Sequence, residues 1–351
     1  MAWFLRTPFV RPQHLLISRT DRIGDFVQSL PVFEAASRDL GISVSALVHE
    51  TNAPLLKNNP FVQEVVAVSD QAEPRQTAGM ILRMGFDGIL VLVNDPRIRA
   101  LLPLLHSIPL RLGPLSKPGM LLHLNYPVVQ KRSKSLLNEA QYNLELLRGL
   151  GWQGSDQIHP RLYFTTEERI QQQAQLQGLC PGLELQKGYA LLHAGMSGSA
   201  LNWPLSHYRE LLASLAGLGK QILLTGGSAA EFQTNEDLLQ GLGSRVWNLA
   251  GKLTLRALGG LCEDARFFVG PSTGPTHMAN AASCPVLSIY PPIRVQSARR
   301  WAPYLAQGVI FTPQVDCRQT YRCVERACPH HPCMESVTVE QLLAAALDLW
   351  L

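Results

Sequence analysis

The chain has 351 residues, 46% of them hydrophobic and 17% charged, enough for two folded domains of ordinary size and inconsistent with a disordered polymer. Thirty-one Lys and Arg against 27 Asp and Glu leave a formal charge of +4, too small to argue by itself for a nucleic-acid partner. No apolar run approaches the roughly 20 residues of a membrane-spanning helix, and residues 1–19 carry Arg6, Arg11 and Arg19 with Pro8 and Pro12 in place of a continuous signal-peptide core, so a cytoplasmic protein is expected.

Taken in chain order, short β-rich runs alternate with helical patterns. Strands are expected at 14–18, 44–49, 64–69 and 88–93, and helices at 25–39, 75–84 and 138–150. The rhythm repeats with strands at 189–194, 221–225, 246–249, 266–269 and 285–290, and helices at 206–218, 229–242, 254–264 and 275–282. Unbroken apolar strands such as Ile89-Leu90-Val91-Leu92-Val93 imply burial on both faces, as in a parallel sheet covered by helices. The pattern predicts an α/β protein of two doubly wound parallel-sheet, Rossmann-like domains facing a central cleft. Their boundaries are read as 1–165 and 188–335, with a Gln-rich linker at 166–187. A last helix lies within 336–351, where Thr338 and Gln341 fit a capping box. The absence of G-x-G-x-x-G after the first strand weighs against a dinucleotide oxidoreductase, and no P-loop motif is present.

Ligands of such sheets bind at the carboxyl ends of the strands, so those loops are where chemistry is sought. The first reads Arg19-Thr20-Asp21-Arg22-Ile23-Gly24-Asp25. Gly24 lets the chain turn tightly, and Asp25 is either a helix cap together with Gln28 or a general base; the residues alone leave both open. In the second half, Gly195 and Gly198 permit close backbone approach to a ligand, and Ser197 and Ser199 can donate to phosphate oxygens. Glu231, after Gly226-Gly227, can accept from ribose hydroxyls or simply complement a helix N-terminus. Leu249 through Thr254, with Gly251 and Leu253, forms a further loop. Most informative is Pro271-Ser272-Thr273-Gly274-Pro275-Thr276-His277. Here a strand runs into a small-residue turn, and a helix opens with Pro275 in its first turn, where a missing N–H costs nothing. Free N–H groups and the helix dipole suit a diphosphate, and His277 lies one turn in. Four glycine-bearing strand-end loops in one half are far more specific than any one of them.

Between Pro96 and Asn138 the chain has no acidic residue, while Arg97, Arg99, Arg111, Lys117, Lys131, Arg132 and Lys134 fall inside. This is read either as solvated surface charge or as a seat for an anionic partner. Cys317, Cys323, Cys328 and Cys333 cluster near the end with spacing C-x5-C-x4-C-x4-C. They lack the paired C-x2-C knuckles of common zinc sites; a structural loop whose thiols pack or pair locally is expected ahead of a metal site, with no catalytic role.

The Gly24-Asp25 loop leading to Leu30-Pro31, the Asn202-Trp203-Pro204 turn, Gly226-Gly227 through Glu231, Leu249 through Leu255, and Ser272-Thr273-Gly274-Pro275 to His277 resemble, in the same order, glycosyltransferase family nine, the ADP-heptose:lipopolysaccharide heptosyltransferases. The resemblance implies a GT-B fold, with acceptor bound by the first domain and nucleotide-sugar by the second, and an inverting, metal-independent transfer without a cofactor. It implies Asp25 as the catalytic base. Donor binding then falls to Gly195, Ser197, Ser199, Glu231, Leu253, Ser272, Thr273, Gly274 and His277. Acceptor binding falls to Gly24, Arg97, Arg99, Lys131, Arg132 and Lys134. The implied partners are ADP-heptose and an anionic lipid-linked saccharide such as the lipopolysaccharide core, with peripheral contact at the cytoplasmic face of the inner membrane and no nucleic acid. Two positions depart from the family pattern: Ser272 stands where members carry Asp, and Leu201 where they often carry Lys. That departure marks a variant branch; Arg299 and Arg300 are read either as compensating charge or as a solvated loop. A sugar-nucleotide epimerase and a non-catalytic sugar-nucleotide binder are the competing readings.

Overall fold

The structure, a computed structural model, describes residues 3–4, 11–115, 118–196, 198 and 200–350. The chain divides into two compact units, Met1–Ser133 with Leu137–Tyr163, and Lys134–Leu136 with Phe164–Leu351. The segment 166–187, expected as a linker, carries instead a helix over Thr166–Leu179. Thr165 and Glu168 close its capping box, which the Gln-rich composition masked.

The first unit holds a seven-stranded sheet in the order β1-β7-β6-β5-β2-β3-β4. Its strands are β1 (Trp3–Phe4), β2 (His14–Arg19), β3 (Ser43–His49), β4 (Val65–Val68), β5 (Gly88–Val91), β6 (Leu110–Pro114) and β7 (Tyr126–Val129). All neighbours are parallel except β1, which lies antiparallel on β7. Leu15, Leu16 and Ile17 of β2 are fully buried, as are Ile89, Leu90 and Val91 of β5, which is why those runs read as uninterrupted hydrophobes. β6 and β7 escape sequence reading because Arg111, Pro114 and Pro127 interrupt them, and proline reads as a strand breaker. The helix expected over 25–39 is broken into Ile23–Val27, Leu30–Glu34 and a π-helical turn at Ala35–Asp39. Pro31 supplies no N–H to a continuous helix, and the Ser29 hydroxyl turns back to Phe26 O (2.6 Å).

The second unit holds a six-stranded parallel sheet, β10-β9-β8-β11-β12-β13. Its strands are β8 (Ala190–Leu192), β9 (Ile222–Leu224), β10 (Val246–Asn248), β11 (Phe268–Pro271), β12 (Val286–Ile289) and β13 (Gly308–Phe311). β11 begins two residues later than the sequence suggests and runs on to Pro271. Its core packs Leu192, Leu224, Val269 and Leu287 against Leu211, Leu212 and Leu215 of the Leu205–Gly217 helix, and against Leu342 and Ala346 of the Val339–Asp348 helix. The capping box at Thr338 and Gln341 forms as expected.

Both sheets reverse strand order at one place, between β2 and β5 in the first and between β8 and β11 in the second. Crevices at such switch points are where doubly wound sheets bind ligands. The loops leaving those four strands are the ones that carry Asp25, Asp95, Gly195 and Thr273.

Candidate functional site

In the first unit the loop after β2 is built around Arg19. Its side chain is only 2% exposed, and its five N–H donors meet five acceptors. Nε and Nη2 grip Asp21 in a fork (2.7 and 3.0 Å), Nη2 also reaches Asp25 Oδ1 (2.8 Å), and Nη1 reaches Glu139 Oε1 (3.3 Å) and Asn143 Oδ1 (3.2 Å). Glu139 is buried and receives a second cation, Arg132 Nη1, at 2.6 Å. Burial works against the charge of Arg19, but Asp21, Asp25 and Glu139 hold it firmly protonated. Arg22 is the N-cap of the Ile23–Val27 helix, and Asp25 lies in its first turn without capping it. Gln28 turns to Asn138. The capping reading of Asp25 therefore gives way to a half-exposed carboxylate held by a buried guanidinium. Gly24 is buried in the same turn, its carbonyl accepting from Gln28 N–H.

The two acids that flank the basic stretch are themselves partners of its cations. Asp95 accepts from Arg97 (3.3 Å) and from Thr20 Oγ1 (2.8 Å), and Arg97 also pairs with Asp70 and donates to Thr20 O (2.9 Å). Arg132 serves Glu139, and Arg111 donates to the carbonyls of His106, Ile108 and His123. Arg99 bonds to Asn94 O (3.1 Å). Arg97 and Arg132 thus build the loop after β2, whereas Lys131 and Lys134 are exposed. Lys117 lies outside the described residues. Arg19, Asp21, Glu139 and Asp95 were not singled out from sequence; only the fold brings residues 120 positions apart into contact.

In the second unit the carboxyl ends of four parallel strands present the four expected loops. His193, at the end of β8, bonds through Nδ1 with Thr225 Oγ1 (3.1 Å). Its Nε2 stands 3.6 Å from Glu231 Oε1. Burial pushes this imidazole below its usual range in spite of Glu231, so it is neutral at pH 7. Glu231 Oε2 accepts from Gly227 N, Ser228 N and Ser228 Oγ (2.9, 3.0 and 2.9 Å). Burial opposes its ionisation, yet these donors hold it below the usual carboxylate range. Oε1 accepts no hydrogen bond among the described residues and faces the loop after β8. A Cβ on Gly195 would run into that oxygen and force Glu231 to move, and one on Gly226 would stand 2.8 Å from Glu231 Cβ and 3.0 Å from Ala250 Cβ, so Gly226 is the position with no room for a side chain. Asn202 ties the loop down through Nδ2 to Ala194 O (2.8 Å). Ser197 and Ser199 lie outside the described residues. Gly251 turns the next loop at φ +73°, leaving Leu253 half-buried.

The helix Gly274–Ala281 opens as expected, with Thr273 at the N-cap and Pro275 in the first turn. Thr273 makes no side-chain cap, and Thr276 Oγ1 instead braces the turn from within by donating to Pro271 O (2.7 Å). The amide of Thr273 is spent on Pro271 O (2.8 Å), so the outward donors begin at Gly274. Ser272 is half-buried in this turn, and the nearby Tyr290 hydroxyl donates to Trp301 O (2.8 Å). His277 is 4% exposed, and its Nδ1 has no hydrogen-bond partner among the described residues. Burial drops its pKa to about 4, so the imidazole is neutral at pH 7.

A cavity of about 480 Å³ joins the loop after β8 to the segment after β12; Ala200, Leu201, Ile293, Gln296 and Arg322 line it. β8 and β12 flank β11 in the sheet, so this cavity opens at the same edge as the Thr273 turn. Arg322 went unnoticed in the sequence. Arg299 donates to Leu136 O (3.2 Å) and Arg300 stacks on Trp301 at 4.7 Å, so both have local roles. The four C-terminal cysteines are free, half-buried thiols, not paired with one another. Burial and the neighbouring thiols push Cys333 upward. Among the described residues no group of three or more His, Cys, Asp or Glu side chains is arranged to hold a metal ion, and no helix is long and apolar enough to cross a membrane.

This geometry has close counterparts. The structure of the Escherichia coli ADP-heptose lipopolysaccharide heptosyltransferase II superposes with a TM-score of 0.77 at 20% identity, over 96% of this chain and 98% of that one, which establishes the GT-B fold. In sequence, the chain is 29% identical to a Haemophilus influenzae protein named "Putative glycosyltransferase" over 302 residues, 83% of this chain and 86% of the other. It is 26% identical to lipopolysaccharide heptosyltransferase 2 of Salmonella typhimurium over 261 residues, 68% and 71% of the two chains. The family model for glycosyltransferase family 9 (heptosyltransferase) matches residues 82–333, taking in Glu139 and every strand-end loop of the second unit, and the chain belongs to that family of glycosyltransferases.

Proposed function

We propose that this glycosyltransferase moves heptose from ADP-heptose to a saccharide of the lipopolysaccharide core, with inversion at the anomeric carbon. The observation that carries the donor half is the turn at Thr273 and Gly274, at the switch point of the second sheet, where a helix opens without a side-chain cap. Such a terminus suits a diphosphate. His277 adds a neutral N–H. Glu231 Oε1, which accepts no hydrogen bond among the described residues, accepts from a ribose hydroxyl. Gly195, Ser197, Ser199, Leu253 and Ser272 shape the rest of the donor site. Relatives whose names specify ADP-heptose and lipopolysaccharide support the choice of sugar and acceptor.

Asp25 acts as the base. It takes the proton of an acceptor hydroxyl, and the oxygen's electron pair forms the new bond to the anomeric carbon. The old C–O bond breaks, and its pair leaves on the nucleoside diphosphate. That leaving group is already stable as an anion, so no second carboxylic acid is required, unlike hydrolytic glycosidases. The amide of Gly274 stabilises the charge developing on the diphosphate. Acceptor binding falls mainly to the first unit, where Gly24, Arg97 and Arg132 build the loop around Asp25 and Arg99 braces the segment after β5, while the exposed Lys131, and Lys134 just past that unit's boundary, meet acceptor phosphates or an anionic membrane surface.

The donor assignment is tested by thermal unfolding with ADP, GDP and UDP. A ligand that binds only the folded state at 100 times its Kd stabilises by about 2.7 kcal/mol, so ADP is expected to raise the midpoint by several degrees and the others by much less. Equal shifts for all three nucleotides would remove adenine as the recognised base.

A further inference from the structure

We infer that Asp21 is a positioning and tuning residue for Asp25: by claiming the fork of the Arg19 guanidinium, it limits how far Arg19 stabilises the ionised Asp25 and so preserves its strength as a base. This rests on Asp25 being the base.

The case is geometric. Asp21 takes two of the five Arg19 donors in a bidentate fork, and Asp25 takes one. Bidentate charge-assisted pairs are the stronger kind. A carboxylate with a private arginine loses about 1–3 pK units and becomes a poor base. Here Asp21, Asp25 and Glu139 share Arg19, and Arg132 joins through Glu139. Arg22, the other charged residue on this loop, is exposed, while Asp95, Arg97 and Asp70 on neighbouring segments reach the loop through Thr20 and pair among themselves. Asn52 Nδ2 fixes the loop by donating to Asp21 O (3.0 Å). The sign of each substitution follows. Without the Asp21 charge, Arg19 attends more fully to Asp25, which then titrates lower. Without Arg19, Asp25 is left beside Asp21 and Glu139 and titrates higher.

The test follows the Asp25 carboxyl by 13C NMR through a pH titration, its resonance assigned by loss in Asp25→Asn. Asp21→Asn is expected to move the Asp25 midpoint down by about one unit, and Arg19→Met to move it up by about 1–3 units. A purely structural role would not produce shifts of opposite sign. If Arg19→Met does not fold, Arg19→Met with Glu139→Gln, which removes one charge of each sign, is expected to move the midpoint in the same direction by a smaller amount, because Arg19 touches Asp25 directly and Glu139 does not. Midpoints unmoved, or moved in the same direction, overturn the tuning role even if Asp25→Asn is inactive. Wild-type turnover in Asp25→Asn would instead overturn the base assignment, and the tuning role with it.

Discussion

Asp25→Asn is expected to lower kcat by about 10²–10⁴, the usual worth of a positioned base, while its affinity for ADP stays within about twofold of wild type. The substitution keeps the size of the side chain and an oxygen for Arg19 Nη2, which now stands 2.8 Å from Asp25 Oδ1, so the buried network around Arg19 survives. What is lost is the capacity to take a proton. The proposed donor residues, Glu231, Gly274 and His277, belong to the second unit. Initial rates of ADP release give kcat, and calorimetry gives the nucleotide Kd. Turnover within a few-fold of wild type would remove Asp25 from the mechanism; a parallel collapse of ADP affinity would mean that the variant had disturbed the fold.

The largest stability effect is expected from Trp203→Ala, about 3–5 kcal/mol by chemical denaturation. The indole is 1% exposed and stands edge-on to Tyr208 at 4.9 Å and His207 at 5.2 Å. Its Nε1 donates to Val337 O at 2.7 Å, which ties the segment before the Val339–Asp348 helix to the loop after β8. Truncation leaves a large cavity and an orphaned carbonyl. Because Asn202, the preceding residue, holds both Ala194 O and the Trp203 amide, donor affinity falls along with stability. Trp203→Phe fills most of the volume and loses mainly the hydrogen bond, so its cost is near 1 kcal/mol. Equal, small effects for both variants would contradict this packing.

Much of the second unit was legible in the sequence because β8, β9, β11 and β12 are buried along their length, and β8, β9 and β11 run out into loops of small residues. β8, β9, β10 and β12 appear where the apolar runs place them, and the helix at Gly274–Ala281 starts where Pro275 and the preceding Thr-Gly indicate. β6, β7 and the edge strand β13 were not legible: prolines and an arginine interrupt the first two, and β13 is short and partly exposed. At the site, Asp25 and the Thr273 turn are local patterns and could be found by reading along the chain. The Arg19 network could not. Arg19 looks like one of many loop cations, and only the packing of the Glu139–Leu147 helix beside β2 shows that it binds a buried glutamate. The acid-free stretch misleads for a related reason: the acids that pair with Arg97 and Arg132 are Asp95 and Glu139, at its very ends, together with Asp70, further back.

The central claim, that this chain is a heptosyl transferase working from ADP-heptose, is tested most directly by the acceptor dependence of nucleotide release. Purified protein is incubated with ADP-heptose, with and without heptose-deficient lipopolysaccharide core, and ADP and the linkage of the new glycoside are followed together. The expected result is ADP release only when acceptor is present, matched mole for mole by a glycoside inverted at the anomeric carbon. Conversion of the nucleotide-sugar without acceptor, or tight binding with no product from any core acceptor, would contradict it.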